Sequence, residues 1–283
     1  MCRIREVFCL VVPNLGDQME TLALQRVKHI LRESLRPLGT AMGRVIVFPS
    51  HHTPVNTLMF NAALFIAGDK VEGDYLEFGV FKGASFARAY WALKNAFREM
   101  TTPKQQIHSE LDVFECAQLW KRMRFVAFDS FQGLSRLSES HDLNDGKSTP
   151  AFVAGKFAAS QDEFERFIAR QRVPLDRVLI IPGWFSETLC HATIEKYDLR
   201  KAAIVHIDCD LYEPTKLALD FVTPLLVEGT VVIFDDWFSQ RGDPNRGEQR
   251  AWREWLLSHP DWKAIEYLKE GPWRNSFILN PSR

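Results

Sequence analysis

Four carboxylates in two short runs are the strongest chemical signal in the 283-residue sequence. One run is His206-Ile207-Asp208-Cys209-Asp210-Leu211-Tyr212 and the other is Phe234-Asp235-Asp236-Trp237. Each follows an apolar stretch that reads as a strand, so the acids fall at two strand ends. Acids gathered in one dry crevice repel one another. A hard divalent cation removes that cost, and oxygen ligation suits magnesium or a similar ion. The plainer alternative is a set of separate solvent-facing caps, with Asp210 or Glu213 capping a helix that begins at Pro214.

Three more motifs occupy the same position after a strand. In Leu76-Glu77-Phe78-Gly79-Val80-Phe81-Lys82-Gly83-Ala84-Ser85, Gly79 permits a sharp turn. Gly83 permits close approach of a ligand or of the following helix. The spacing is not G-x-G-x-x-G, and Glu77 suits a cationic or hydroxyl-bearing ligand better than a phosphate. In Phe128-Asp129-Ser130-Phe131-Gln132-Gly133-Leu134, the acid stands where nucleoside-binding α/β folds hold ribose, and a carboxylate can accept from both vicinal hydroxyls. An ordinary Asx turn is the alternative. In Pro182-Gly183-Trp184-Phe185-Ser186-Glu187-Thr188-Leu189, the aromatics either wall a base or pack in the core, and Ser186 can cap a helix.

These motifs need a scaffold that brings strand ends together. Candidate strands are Tyr75–Gly79, Phe125–Asp129, Arg177–Ile181, Ala203–Asp208 and Val231–Asp235. Helical patterns lie near 84–98, 161–172, 186–196, 214–223 and 246–258. Such alternation implies βαβ units and a mostly parallel sheet with helices on both faces. Ala264–Leu268 and Ser276–Leu279 flank a Glu270-Gly271-Pro272 turn and read as a terminal antiparallel hairpin. The expected architecture is a seven-stranded, Rossmann-like α/β domain over residues 71–283. Helical patterns at 17–37 and 55–67 suggest an N-terminal cap over residues 1–70. In open α/β sheets ligands bind outside the carboxyl ends of the strands, where the acids collect. The polar stretch 135–160 is long for a βα connection and is expected to act as a lid. Other features have structural readings: His51-His52 as a surface turn, His206 as a core histidine, the Trp252, Trp255, Leu256 stripe as packing, and Ser160 with Glu163 as a capping box.

Composition removes several function classes. Hydrophobic residues make up 46%, aromatics 12% and charged residues 25%, an ordinary globular balance. A net charge of −1 gives no global case for binding nucleic acid or an anionic membrane. The five cysteines are dispersed without a C-x-x-C pair, which fits a reducing compartment and a cytoplasmic protein. No run approaches the roughly 18 apolar residues of a membrane span.

The five motifs, in this order over roughly residues 70–258, resemble the macrocin O-methyltransferase family. Its members are class I, S-adenosylmethionine-dependent and metal-dependent O-methyltransferases, several of which methylate sugar hydroxyls of antibiotics. The resemblance implies cofactor contacts from Glu77, Gly79, Lys82, Gly83 and Ser85 around the methionine part. It implies that Asp129 holds the ribose, with Ser130, Phe131, Gly183, Trp184 and Phe185 near ribose and adenine, and Asp208 also within reach. Asp208, Asp235 and Asp236 match the family's metal ligands, with magnesium the expected ion, and Asp210 matches its general base beside a catalytic Asp208. The implied partner is a small sugar-like or glycosylated acceptor; a homo-oligomer remains open. Two enzymatic alternatives stand beside this reading. A metal-dependent glycosyltransferase would use Asp208-Cys209-Asp210 as its Asp-x-Asp motif, and an NAD-dependent dehydrogenase would use the 79–83 turn. A non-catalytic binding module is the third.

Overall fold

The computed structural model describes residues 57–102, 110–134 and 155–282. The helical pattern at 17–37, the His51-His52 turn and most of the expected lid lie outside the described residues. The seven strands are β1 (Asp74–Phe78), β2 (Phe125–Asp129), β3 (Val178–Pro182), β4 (Ala202–Ile207), β5 (Leu226–Phe234), β6 (Trp262–Glu270) and β7 (Arg274–Pro281). They form one sheet in the order β3-β2-β1-β4-β5-β7-β6. The strands from β1 to β5 are parallel, and β7 inserts antiparallel between β5 and β6.

The helices are α1 (Leu58–Gly68), α2 (Ala84–Thr101), α3 (Glu110–Arg122), α4 (Gln161–Arg170), α5 (Phe185–Thr188), α6 (His191–Lys196), α7 (Tyr212–Val222) and α8 (Gly247–Ser258). Every residue of β1 and β4 is buried, as strands covered on both faces must be. Alternation then divides the core. Tyr75, Phe125 and Ala127 join Phe86 of α2 and Phe164 of α4 in one cluster. Leu76, Phe78, Val126 and Phe128 join Phe221 of α7 and Trp252 of α8 in the other. Helix α1 starts at Thr57, whose hydroxyl accepts the Phe60 N–H at 3.2 Å. Its Leu58, Ala62, Ala63 and Ile66 belong to the first cluster, so this helix is part of the sheet's own core. Ser160 and Glu163 form the expected capping box of α4.

Three elements differ from the sequence pattern. Helix α3 lies in residues 100–123, where no helix was expected: its Leu111 and Phe114 are exposed while Cys116 is buried, so the apolar pattern does not mark one face. The 186–196 pattern is two short helices, because Cys190 is extended between them. Strand β3 begins one residue late because Arg177 closes a 3₁₀ turn, with its guanidinium 3.9 Å from the Trp120 ring centroid. Among the described residues no helix is long and apolar enough to cross a membrane.

Candidate active site

The strand order reverses between β1 and β4, and the chain makes this junction unusually tight. Gly79 follows β1 with φ +88°, and a Cβ there would lie 1.9 Å from the Asp208 carbonyl oxygen. Glycine is required for both reasons. The register pairs Phe78 with Ile207 and Ile207 with Phe234, so Gly79, Asp208 and Asp235 leave the sheet side by side.

A cleft of about 600 Å³ opens at these ends. Asp129, Ser130, Gln132, Asp208, Asp210 and Glu213 supply polar lining. Phe81, Phe157, Trp184, Phe185, Pro214 and Leu217 supply apolar lining. At its rim Leu134 N–H donates to the Lys156 carbonyl and Gly155 N–H to the Leu134 carbonyl, each at 2.9 Å. Phe81 and Phe157 pack edge-to-face with centroids 6.0 Å apart, and both have positive φ.

Of the expected cofactor residues, Gly79, Asp129, Ser130, Trp184, Phe185 and Asp208 line this cleft. Glu77, Lys82, Gly83, Ser85, Phe131 and Gly183 are outside its lining, each for a packing reason. Glu77 is fully buried; Tyr75 Oη donates to its Oε2 and Ser85 Oγ to its Oε1, the latter at 2.5 Å. Glu77 and Ser85 are thus hydrogen-bonded to one another. A Cβ on Gly83 would come within 2.8 Å of Phe164 and Ile168, so this glycine admits α4. Lys82 lies over the Phe81 ring and lines a separate groove with Glu163 and Arg166. Phe131 packs on Phe164 at 5.9 Å, and a Cβ on Gly183 would meet the Thr188 methyl at 2.8 Å.

Asp129 reaches the cleft with most of its acceptor capacity spent. Oδ2 accepts the Val80 and Phe81 N–H groups at 2.8 and 3.0 Å, and Oδ1 accepts the Phe131 N–H at 2.7 Å. A carboxylate offers about four lone-pair sites. Three are used by these backbone N–H groups, which leaves one for a ligand hydroxyl in this arrangement. Burial pushes its carboxyl up, against the pull of the three N–H groups.

The acids do gather. Single ligand atoms of His206, Asp208 and Asp235 lie within 4.8 Å of one another. Asp236, the third expected metal ligand, instead shares a hydrogen bond with Asp210. Burial and then Asp236 push the Asp210 carboxyl up to about 9. Burial and then the Asp235 charge raise Asp208 well above the carboxylate range. Asp235 goes the other way: burial opposes it, but His206 and Arg274 hold its carboxyl low. Arg274 Nε donates to Asp235 Oδ1 at 2.5 Å, and His206 Nε2 stands 3.5 Å from the same oxygen. On its other side, His206 Nδ1 is 3.1 Å from Tyr75 Oη and 3.7 Å from Glu77 Oε2. Burial depresses the imidazole, yet the two carboxylates bring it up to about 10. His206 is thus buried as expected, but its Nε2 has no aligned hydrogen-bond partner and faces the acids.

The sequence motifs missed Tyr75, Glu248 and Arg274. Arg274 comes to the site through strand pairing: β7 pairs Asn275 with Phe234, which puts Arg274 beside Asp235.

The strand order, the antiparallel β7 and the cleft at the strand ends together define the class I methyltransferase fold. In agreement, CalS11, a calicheamicin methyltransferase, superposes with a TM-score of 0.54 at 23% identity over 94% of either chain. The macrocin-O-methyltransferase (TylF) model matches residues 111–254, and the chain belongs to that family. Demethyldecarbamoylnovobiocin O-methyltransferase of Streptomyces niveus is 28% identical over 172 residues, 61% of this chain and 55% of that protein. The 8-demethyl-8-(2,3-dimethoxy-alpha-L-rhamnosyl)-tetracenomycin-C 4'-O-methyltransferase of Streptomyces olivaceus is 28% identical over 174 residues, 61% of this chain and 56% of that protein. The matched region spans little more than half the length of these relatives.

Proposed function

We propose that this chain is an S-adenosylmethionine-dependent O-methyltransferase that acts on a hydroxyl of a sugar-linked small molecule. It would do so with a divalent metal ion, magnesium being the one expected, and with Asp210 as general base. The observation that carries the reading is the position of Asp208 and Asp210 in the wall of the same cleft as Asp129. Family membership supports the reaction class, and the names of the two relatives support a natural-product acceptor.

The donor set fits a hard divalent ion. Asp208 and Asp235 offer oxygens, Asp236 stands next to Asp235, and the buried His206 Nε2 lies with the Asp208 and Asp235 oxygens in one group. Carboxylate with imidazole is compatible with magnesium or manganese. When bound, the ion would lower the pKa of a coordinated hydroxyl, and the cofactor would supply a methyl group on sulfonium. The protein's own task is then positional. Asp129 offers one acceptor site to a ribose hydroxyl. Trp184 and Phe185 give a flat apolar wall that suits a base. A carboxylate oxygen of Asp210 receives the acceptor's proton. No tight phosphate cradle is needed, since neither cofactor nor sugar hydroxyl carries a phosphate.

The reading is checked by incubating the protein with methyl-labelled S-adenosylmethionine and a panel of glycosides, with magnesium or with EDTA. Label should enter an ether on a sugar hydroxyl only with the ion. Transfer at full rate in EDTA would remove the metal from the proposal. Label on a carbon or nitrogen atom would remove the hydroxyl.

A further inference from the structure

Helix α8 grips the turn that carries the twin aspartates at two points. Glu248 Oε2 accepts the Asp236 N–H at 3.0 Å, and Gln249 Nε2 donates to the Trp237 carbonyl at 2.7 Å. Holding that turn does not require a charge at position 248, because a glutamine there would accept the same N–H through its amide oxygen. Glu248 is nevertheless a carboxyl group, only 2% exposed, and its Oε1 is buried with no hydrogen-bond partner among the described residues. Its charge would add to those of Asp236, Asp235, Asp210 and Asp208, all of which act on it electrostatically. A fifth acid with an orphaned oxygen is costly unless something positive, or something that donates hydrogen bonds, completes it. Among the described residues the ligand atoms that converge on one point belong to His206, Asp208 and Asp235, and Glu248 stands outside that group.

We propose that Glu248 is a positioning residue of the metal site, with Oε2 fixing the Asp235–Asp236 turn and Oε1 accepting a hydrogen bond from a water of the ion's hydration shell. The inference rests on the metal-dependent reading above. Groups in this outer position commonly change metal affinity without touching the metal.

The test is Mn²⁺ titration of the EDTA-stripped full chain, read by the free-ion electron paramagnetic resonance signal, without cofactor or acceptor. Wild type, Glu248→Gln, Glu248→Asp and Asp235→Asn are compared. Glu248→Gln should weaken Mn²⁺ binding by about 10–100-fold, while its S-adenosylhomocysteine affinity and metal-free melting temperature do not fall. Glu248→Asp should weaken it as well, because the carboxylate is withdrawn by one methylene. Wild-type Mn²⁺ affinity in Glu248→Gln, together with loss in Asp235→Asn, would overturn the Glu248 role and leave the metal reading standing. Equal Mn²⁺ affinity in wild type and Asp235→Asn would overturn both. Should Glu248→Gln fail to fold, Glu248→Asp decides on the same criterion.

Discussion

Asp210→Asn should lower turnover by roughly 10²–10⁴-fold, the usual size of a general-base contribution, while S-adenosylhomocysteine and Mn²⁺ still bind. The substitution is mild for the backbone. Asp210 has φ +63°, in the left-handed region where asparagine and aspartate are both enriched. Shape and a hydrogen bond toward Asp236 survive; what is lost is an oxygen that can take a proton. Burial, then Asp236, Asp208 and Asp235, bring the carboxyl up to about 9, so at neutral pH it holds a proton unless compensating positive charge is present. Base function at Asp210 is therefore tied to the charge state of the whole cluster. Single-turnover kinetics alongside the two binding measurements check this. Near-normal turnover would remove Asp210 from the reaction. Loss of Mn²⁺ binding in Asp210→Asn but not in Asp208→Asn would reverse the roles of the two aspartates.

The second large effect is on stability. Metal-free protein should lose stability as pH rises from about 6.5 to 9. The Asp210 carboxyl goes from an ordinary 3.8 up to about 9 on folding, and the His206 imidazole from 6.5 up to about 10. In that window the folded chain holds at least these two protons, which the unfolded chain releases, and Asp208 and Glu248, raised by burial and neighbouring acids, act in the same direction. The stability they contribute is complete below the unfolded values and is lost as pH climbs through the folded ones. Each proton corresponds to about 1.4 kcal/mol per pH unit, so Asp210 and His206 by themselves give a slope on the order of 1–3 kcal/mol per unit. Asp235 works in the opposite sense, but its contribution is lost only at acid pH, because its carboxyl is held low by His206 and Arg274. A bound divalent ion takes over the role of the protons and should flatten the slope. Melting temperatures of EDTA-stripped and Mg²⁺-saturated protein at half-unit steps check this. A metal-free melting temperature that stays level or rises between pH 6.5 and 9 would show that the acids do not share protons as described.

The parallel strands were legible because each carries its own punctuation. Gly79, Asp129, Asp208 and Asp235 each stop an apolar run at a strand end, and such runs are read without knowledge of neighbours. Strand pairing was not legible in the same way. Arg274 lies 39 residues beyond Asp235 and meets it only because β7 returns beside β5. Glu248 has the spacing of an ordinary first-turn acid on a helix, and nothing in that spacing announces burial. The side a residue faces was the other blind spot. Glu77 has a motif position that suits a ligand, and nothing in that position shows that it shares the inner face of β1 with Tyr75 and accepts hydrogen bonds from Tyr75 and Ser85. Gly83 could admit a ligand or a helix, and Phe164 and Ile168 fill that space. Helix α3 escaped notice because Leu111 and Phe114 point away from the core and erase the period of the buried positions.

The most direct measurement is calorimetric titration of the wild-type chain with S-adenosylhomocysteine, NAD and a nucleotide sugar, repeated with Asp129→Ala. The expected result is one S-adenosylhomocysteine site per chain, no heat from NAD, and no competition by the nucleotide sugar for the S-adenosylhomocysteine site. Asp129→Ala should weaken that site by about 1–3 kcal/mol, the range for removing a charged hydrogen-bond partner. Binding of NAD or of the nucleotide sugar in place of S-adenosylhomocysteine would contradict the assignment. Unchanged S-adenosylhomocysteine affinity in Asp129→Ala would contradict the location of the cofactor in this cleft.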